Sequence, residues 1–179
     1  MKYVVLIRHG EELERLKKIR DSRKNPLIDD KILTDINGLV IKAFSIAAMI
    51  FHDDNILNTA ENSADFIMND IYKDGKLMHS YRNGHARIDG MFDDYSYMVS
   101  GLLSLFEVSQ NDIYLDFARE LHNTIIKTFY DNVNGGFYSA GDELLVRLKE
   151  TYDNAIPSGF YLTGSYGTGL TYTPHFCRK

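Results

Sequence analysis

The sequence predicts an all-α fold of antiparallel helical hairpins with small β-hairpins inserted between them. Two long segments are apolar on nearly every face, and an amphipathic segment with helical periodicity follows each one. The two pairs of segments also superpose at one fixed offset. A helix that is apolar all round must be surrounded by other elements, whereas an amphipathic helix keeps one face in water. We therefore expect inner helices that are each paired with an outer helix.

The first half of the chain carries the first such pair. A charged helix is predicted over Glu11 to Ser22, where the apolar stripe is thin. The first inner helix is predicted from Gly38 to Phe51, with Asp35 or Asn37 as its N-cap. An outer helix follows from Asn55 to Ile71.

A β-hairpin separates this pair from the next. Asn83-Gly84 is the strongest short hairpin signal, because both turn residues tolerate a positive φ, and Leu77 to Tyr81 and His85 to Ile88 flank it. The second inner helix is predicted from Asp93 to Val108, and the second outer helix from Asp112 to Tyr130. A short strand is predicted at Leu144 to Val146.

The two pairs form an internal repeat. Adding 58 relates Asp35 to Asp93, Asp54 to Asp112, Leu57 to Leu115, Ala60 to Ala118, Ile67 to Ile125 and Tyr72 to Tyr130. One such unit cannot bury its inner helix alone, so units must stack as a solenoid or as an α/α toroid. Six units would need about 350 residues at this spacing. The 179-residue chain therefore holds about half of a toroid.

The third unit is expected near residue 151 but is interrupted. Residues 160–179 are rich in glycine and threonine, which predicts a divergent, non-helical tail. We expect a partial α/α-toroid domain over residues 1–159, in which residues 1–28 are an N-terminal extension with the charged helix.

Composition restricts the partners. The net charge of −5 argues against nucleic acid and against an anionic membrane surface. Cys177 is the only cysteine, so neither a disulfide framework nor a thiolate zinc site is expected, and we predict no metal and no cofactor. The longest apolar segment, Leu39 to Phe51, contains Lys42 and is shorter than the ~20 residues that span a bilayer. A cytoplasmic location is the expectation.

Four motifs, in this order, resemble the C-terminal half of the YyaL family of spermatogenesis-associated thioredoxin-domain proteins. They are Asp29-Asp30-Lys31-Ile32-Leu33-Thr34, Asn37-Gly38-Leu39, Phe92-Asp93-Asp94-Tyr95, and Tyr152-Asp153 with Pro157-Ser158-Gly159. The resemblance covers roughly Glu11 to Gly159. It implies an α/α toroid similar to N-acylglucosamine 2-epimerases and six-hairpin glycosidases, and carbohydrate-type chemistry by analogy of fold.

The departures from the family pattern predict a truncated or frame-shifted homologue. The thioredoxin-like half has no counterpart here, and Asp35-Ile36 stands where the family has Ser-Trp. The helix expected after Gly159 is replaced by the divergent tail. A pocket built from all six hairpins would then be open on one side.

The carboxylates that open the second inner helix are the candidate catalytic groups. The repeat favours Asp93 as the helix cap, because Asp35 stands at the equivalent position. Asp94 would then point into the toroid centre and, with Asp30, form a general acid/base pair.

The candidate substrate-binding residues are Arg87, Tyr95, Asp153 and Asn37. Arg87 is predicted on the hairpin, where it can bind a carboxylate or a hydroxyl-rich ligand. The ring of Tyr95 offers a stacking face for a sugar, although packing in the core is the favoured interpretation of this residue. Asp153 falls where the third inner helix should begin, and Asn37 belongs to the family motif.

Three functions follow. The leading hypothesis is a domain that binds or processes a saccharide. The second is a non-catalytic scaffold whose open toroid edge binds a partner or a second copy of the chain. The third is a histidine phosphatase, because Arg8-His9-Gly10-Glu11 follows a short β-like run, but no second strand-His-Gly motif accompanies it.

Overall fold

The computed structural model describes residues 10–24, 26–141, 147–149, 152, 156–159 and 162–163. The chain divides into two compact units, Met1–Asp30 and Lys31–Lys179. The strand predicted at Leu144 to Val146 lies outside the described residues. The first unit contains one described helix, α1 (Gly10–Asp21), in which no residue is buried, as its charged sequence predicts.

The second unit consists of two helical hairpins. The inner helix α2 (Thr34–Phe51) is followed by the outer helix α3 (Asp54–Phe66), which continues as a π-helical turn over Ile67–Ile71. The second inner helix is α4 (Phe92–Ser109), and its outer helix is α5 (Asp112–Thr128). The predicted inner and outer helices are all confirmed.

The turns inside both hairpins are built in the same way, 58 residues apart. His52 and Gln110 end the inner helices in the left-handed conformation, with φ of 53° and 56°. The next residues, Asp53 and Asn111, cap the outer helices by accepting the backbone N–H two residues ahead. The internal repeat therefore extends to the backbone of the turns.

A small antiparallel sheet joins the two hairpins. Its strands are β1 (Ile32–Leu33), β2 (Tyr72–Lys73), β3 (Lys76–Arg82) and β4 (His85–Asp89). The strands β1, β2 and β4 each pair with β3 in antiparallel register. Asn83 and Gly84 form the predicted turn, with φ of 53° and 79°.

The core lies where the two inner helices cross with their backbones in contact. A Cβ added to Gly38 would lie 2.6 Å from the amide nitrogen of Met98. A Cβ added to Gly101 would lie 2.5 Å from the carbonyl oxygen of Gly38. Neither position accepts a side chain unless a helix moves, so the two glycines set the spacing of α2 and α4.

The two inner helices differ in burial. Residues 94–102 of α4 are buried without interruption, as predicted for an inner helix. In α2, by contrast, Val40 and Phe44 are each 37% exposed and Phe51 is 70% exposed. The prediction that α2 is covered on nearly every face is wrong, because the described chain places a second inner helix on one side of it only.

By length and composition alone, α2 is the one described helix apolar enough to cross a membrane. The core helix of a soluble protein passes the same test, so this is weak support for a membrane span. One face of α2, which includes Gly38, Ile41 and Ala48, is buried inside the domain.

Candidate functional site

The first turn of α4 contains a buried carboxylate that joins three elements. Asp94 is 1% exposed. Its Oδ2 accepts the N–H of Met91 at 2.8 Å, which caps α4, and its Oδ1 accepts the N–H of Asp35 in α2 at 3.1 Å. Asp94 thus satisfies backbone donors at the start of both inner helices.

The prediction that Asp93 caps α4 is therefore wrong. The helix begins at Phe92, so Met91 is the N-cap residue and Asp94 is the third residue of the helix. A side chain at that position reaches back to the N–H of the N-cap residue. Asp93 points elsewhere, and its Oδ1 accepts the N–H of Gly159 at 3.1 Å.

His79 on β3 is the third partner of Asp94. Its Nδ1 lies 3.0 Å from both carboxylate oxygens. An ionised carboxylate only accepts hydrogen bonds, so Nδ1 carries the proton and Nε2 of the neutral ring is the acceptor. Among the described residues no group bonds to Nε2, and the side chain of His79 is 27% exposed.

Opposing effects act on the Asp94 carboxyl. Burial raises its pKa above the usual range, while the N–H of Met91 and the His79 ring lower it. Because several donors converge on one buried group, the carboxylate holds the imidazole in a fixed orientation.

Asp35, His79 and Asp94 offer ligand atoms within 4.8 Å of one another, a spacing that a metal ion can bridge. Hydrogen bonds explain this cluster without an ion. Both oxygens of Asp94 already accept backbone N–H groups, and Oδ1 of Asp35 accepts the N–H of Ile36 at 2.7 Å. The predictions of no metal and no cofactor remain predictions.

The N-terminal part of α4 also contacts residues 157–159, in the segment where a third unit is expected. Ser96 Oγ donates to the carbonyl oxygen of Gly159 at 3.2 Å, and the Tyr97 hydroxyl donates to that of Pro157. Leu162 and Thr163 are helical. The predicted non-helical tail is therefore wrong at these two positions, and the rest of residues 160–179 lies outside the described residues.

A cleft of about 560 Å³ is present in the first hairpin. It lies between β1, the first turn of α2 and the middle of α3. Its lining consists of Lys31, Ile32, Leu33, Ile36, Asn37, Thr59, Asn62, Ser63 and Phe66. Amides, hydroxyls and one aromatic ring therefore share a single concave surface.

The structure places the predicted site residues in different environments. Asn37 lines the cleft, whereas Arg87 is exposed on β4. Asp30 is exposed and ends the first compact unit, so its predicted pairing with Asp94 stays a prediction. Asp153 lies outside the described residues.

Tyr95 is a core residue, which corrects its predicted role as a sugar-stacking ring. It is 4% exposed, and its ring lies 5.5 Å from that of Phe129. Its hydroxyl accepts the N–H of Leu77 at 2.9 Å. Burial raises the pKa of this hydroxyl. Tyr95 thus holds the hairpin against α4 and presents no face to a ligand.

His79 was not singled out by the sequence because it belongs to no motif and pairs with a residue 15 positions away. Strand alternation is the one signal that points to it. His79 and Tyr81 share a face of β3. The Tyr81 ring lies edge-on to Phe66 of the cleft, with 5.1 Å between the ring centroids.

Comparison with known proteins finds relatives over most of the chain. No family model matches the sequence. Spermatogenesis-associated protein 20 from Homo sapiens is 32% identical over 160 residues, which cover 82% of this chain. The protein of that name from Rattus norvegicus is 30% identical over the same length. Both proteins are homologues of this chain over 82% of its length. The chain spans about a fifth of the length of these relatives (20% in both).

Solved structures confirm the toroid. A cellobiose 2-epimerase from Spirochaeta thermophila matches with a TM-score of 0.63 at 17% identity, over 80% of this chain and 39% of the epimerase. A GH76 alpha-mannanase from Bacteroides thetaiotaomicron matches with a TM-score of 0.54 at 15% identity, over 66% of this chain and 32% of the mannanase. At these identities the likeness shows the fold, an α/α toroid of which this chain forms a part.

Proposed function

We propose that this domain binds a saccharide in the cleft between α2 and α3, as part of a carbohydrate-processing α/α toroid. The chemistry of the cleft lining carries the proposal. Ligand sites combine apolar walls with a few fixed polar groups, and sugars are bound by such groups together with an aromatic face. The fold shared with a sugar epimerase and a mannanase supports this choice.

The hydrogen-bond capacity of the lining suits a ligand rich in hydroxyl donors. Thr59 Oγ1 donates to the carbonyl oxygen of Asn55, and Ser63 Oγ donates to that of Thr59, each at 2.8 Å. Because these hydroxyl protons are engaged, the two oxygens are left as acceptors. Asn37 Nδ2 donates to the carbonyl oxygen of Leu33 at 2.7 Å, so its own carbonyl oxygen is also left as an acceptor.

Titration with a panel of mono- and disaccharides, followed by calorimetry and by NMR of the cleft residues, tests the proposal. Phe66→Leu keeps apolar bulk but removes the aromatic face, and we expect it to weaken binding about tenfold. Asn37→Ala should have a similar effect. Asn123→Ala, at an exposed position on α5, is the matched control and should bind normally. Absence of binding across the panel would refute the proposal.

We further propose that His79 is a proton-transfer group, on the face of β3 that it shares with Tyr81, and that Asp94 acts through it. The buried Asp94 carboxylate cannot reach a ligand directly, but it fixes the ring so that Nε2 can accept a proton. We expect Asp94→Asn to change the tautomer ratio of His79, read from its ring ¹⁵N shifts. An unchanged ratio in a folded variant would remove the positioning role.

We also propose self-association through the open edge of the toroid, which is exposed along α2. This was the scaffold alternative, and the exposed face of an inner helix favours it. The cytoplasmic location and the absence of a nucleic-acid or membrane partner remain predictions.

The histidine phosphatase alternative has less support. Arg8 and His9 lie outside the described residues. The four strands that the structure describes pair antiparallel, whereas this activity needs a parallel βαβ sheet. Incubation with a radiolabelled phosphoryl donor should leave His9 unlabelled, and labelling there would restore the alternative.

A further inference from the structure

The surface of α4 that receives α2 is defined by three residues. Asp94 accepts the N–H of Asp35, and the backbone at Met98 lies against Gly38. Gly101 allows the backbones of α2 and α4 to approach each other closely, since a Cβ here would lie 2.5 Å from the carbonyl oxygen of Gly38. Together these residues form the socket that one inner helix offers to the preceding one.

The repeat places an equivalent socket on α2. Subtracting 58 from Asp94, Met98 and Gly101 gives Ile36, Val40 and Ala43. All three are exposed, and Ala43 provides a small side chain where α4 has a glycine. The free face of α2 therefore has the positions, and the small residue at its centre, that accept another inner helix.

We propose that a second copy of this chain covers this face, with the two α2 helices packed against each other about a two-fold axis. The interface is the α2 stripe, which we define as Ile36, Val40, Ala43, Phe44, Ile50 and Phe51. This inference deepens the proposed self-association and is independent of saccharide binding.

The exposed area of the α2 stripe matches what a dimer needs. Its five large side chains are 37% to 70% exposed. At about 200 Å² for each large apolar side chain, they expose roughly 500 Å² together. Two copies would bury about 1,000 Å², the area that a specific interface should reach. A contiguous apolar patch of this size on a monomer marks an interaction site.

The charges of α2 are directed away from the stripe. Lys42 Nζ donates to Ser100 Oγ on α4 at 3.0 Å. Asp35 lies in the first turn, where its carboxylate accepts the N–H of Ile36. A two-fold axis places a surface against its own copy, so a stripe without charge avoids repulsion between like charges.

A bilayer fits this surface less well than a second copy. The face of α2 that includes Gly38, Ile41 and Ala48 is buried against the rest of the domain. A helix that spans a membrane would have to leave that packing, whereas a second copy covers the free face and keeps it.

Sedimentation velocity of the full chain over about 1 to 100 µM tests the proposal. We expect a reversible dimer of twice 20.5 kDa. Ala43→Arg, which buries a charge at the centre of the stripe, should weaken association about 100-fold. Ile113→Arg replaces a side chain that is 59% exposed on α5 and should leave association unchanged. Circular dichroism should show that both variants are folded.

Disulfide cross-linking tests whether the two α2 helices meet at the proposed two-fold axis. In a Cys177→Ser background, Ala47→Cys places a thiol on the same side of α2 as Ala43, and mild oxidation should join two chains. Ile113→Cys should stay monomeric under the same oxidation. A wild-type chain that remains monomeric up to about 100 µM would overturn the proposal. So would a dimer that survives Ala43→Arg, or a monomer that instead binds phosphatidylcholine vesicles.

Discussion

The two repeat units share their turns but differ at the start of their inner helices. α2 begins after Leu33 with no side-chain cap, whereas Asp94 caps α4 and also bonds to the backbone of α2. The position equivalent to Asp94 is Ile36, which is 42% exposed. The comparison shows that a buried carboxylate stands where two units meet, and that an apolar residue takes its place at the open edge.

Among the substitutions that test this difference, Asp94→Ala should lower the free energy of unfolding the most. The substitution leaves the N–H groups of Met91 and Asp35 without their buried acceptor and releases His79. We expect unfolding in urea to show a loss of about 3–5 kcal/mol. Ile36→Ala, at the equivalent position, should cost less than about 1 kcal/mol because that site is exposed. Equal losses would mean that the junction does not depend on the carboxylate.

Substitution of Gly101, where the two inner helices cross, should give the next largest loss of stability. Gly101→Ala forces a Cβ against the carbonyl oxygen of Gly38, and we expect a loss of about 2–3 kcal/mol from overpacking. The equivalent exchange in α2, Ala43→Gly, should cost about 1 kcal/mol or less, through helix propensity alone. Urea titrations of both variants measure the two values. A stable Gly101→Ala variant would show that the helices can separate at little cost.

Asp93 and Asp35 allow a smaller, local comparison. Asp93 holds Gly159 of the third unit, while Asp35 accepts the N–H of its own neighbour, Ile36. Asp93→Ala should cost about 1–2 kcal/mol, and hydrogen exchange at Ser158 and Gly159 should become faster. Asp35→Ala should leave that exchange unchanged. Protection that persists in Asp93→Ala would assign the anchoring to Ser96 and Tyr97 instead.

The helices and the hairpin could be predicted because their signals are local. Helical periodicity and the Asn83-Gly84 turn are both contained within a few residues. The exposure of α2 could not be predicted in this way. Val40 and Phe44 have the composition of core residues, and composition does not say how many neighbouring helices the chain supplies.

The candidate site was harder to predict because it depends on the helix start and on tertiary contacts. A shift of about one residue in the start of α4 exchanges the roles of Asp93 and Asp94, and helix ends are uncertain by that much. The pairing of His79 with Asp94 joins a strand to a helix, and no motif contains both residues. Asn37, in contrast, belongs to a family motif that can be read from the sequence, and the structure places it in the lining of the cleft.

At one position that is buried in both outer helices, α3 has Ala64 and α5 has His122. These positions are related by the same offset of 58, and the side chains are 0% and 7% exposed. Burial lowers the pKa of His122 below its ordinary value of 6.5. The unfolded chain therefore takes up a proton near pH 6.5 that the folded chain resists, so stability is lost as pH falls through this range.

We expect the free energy of unfolding to decrease between about pH 7 and pH 5 by at most about 1.4 kcal/mol per pH unit from this one group. The Asp94 carboxyl changes the stability with pH in the opposite direction. Because its pKa is raised in the folded chain, its contribution to the free energy of unfolding is greatest at low pH. The difference between the wild-type chain and His122→Ala isolates the histidine. The pH slope of the variant should be shallower, while Asn123→Ala, at an exposed position on α5 that does not titrate, should keep the wild-type slope. Parallel slopes for wild type and His122→Ala would mean that the two outer helices do not differ in how they respond to acid.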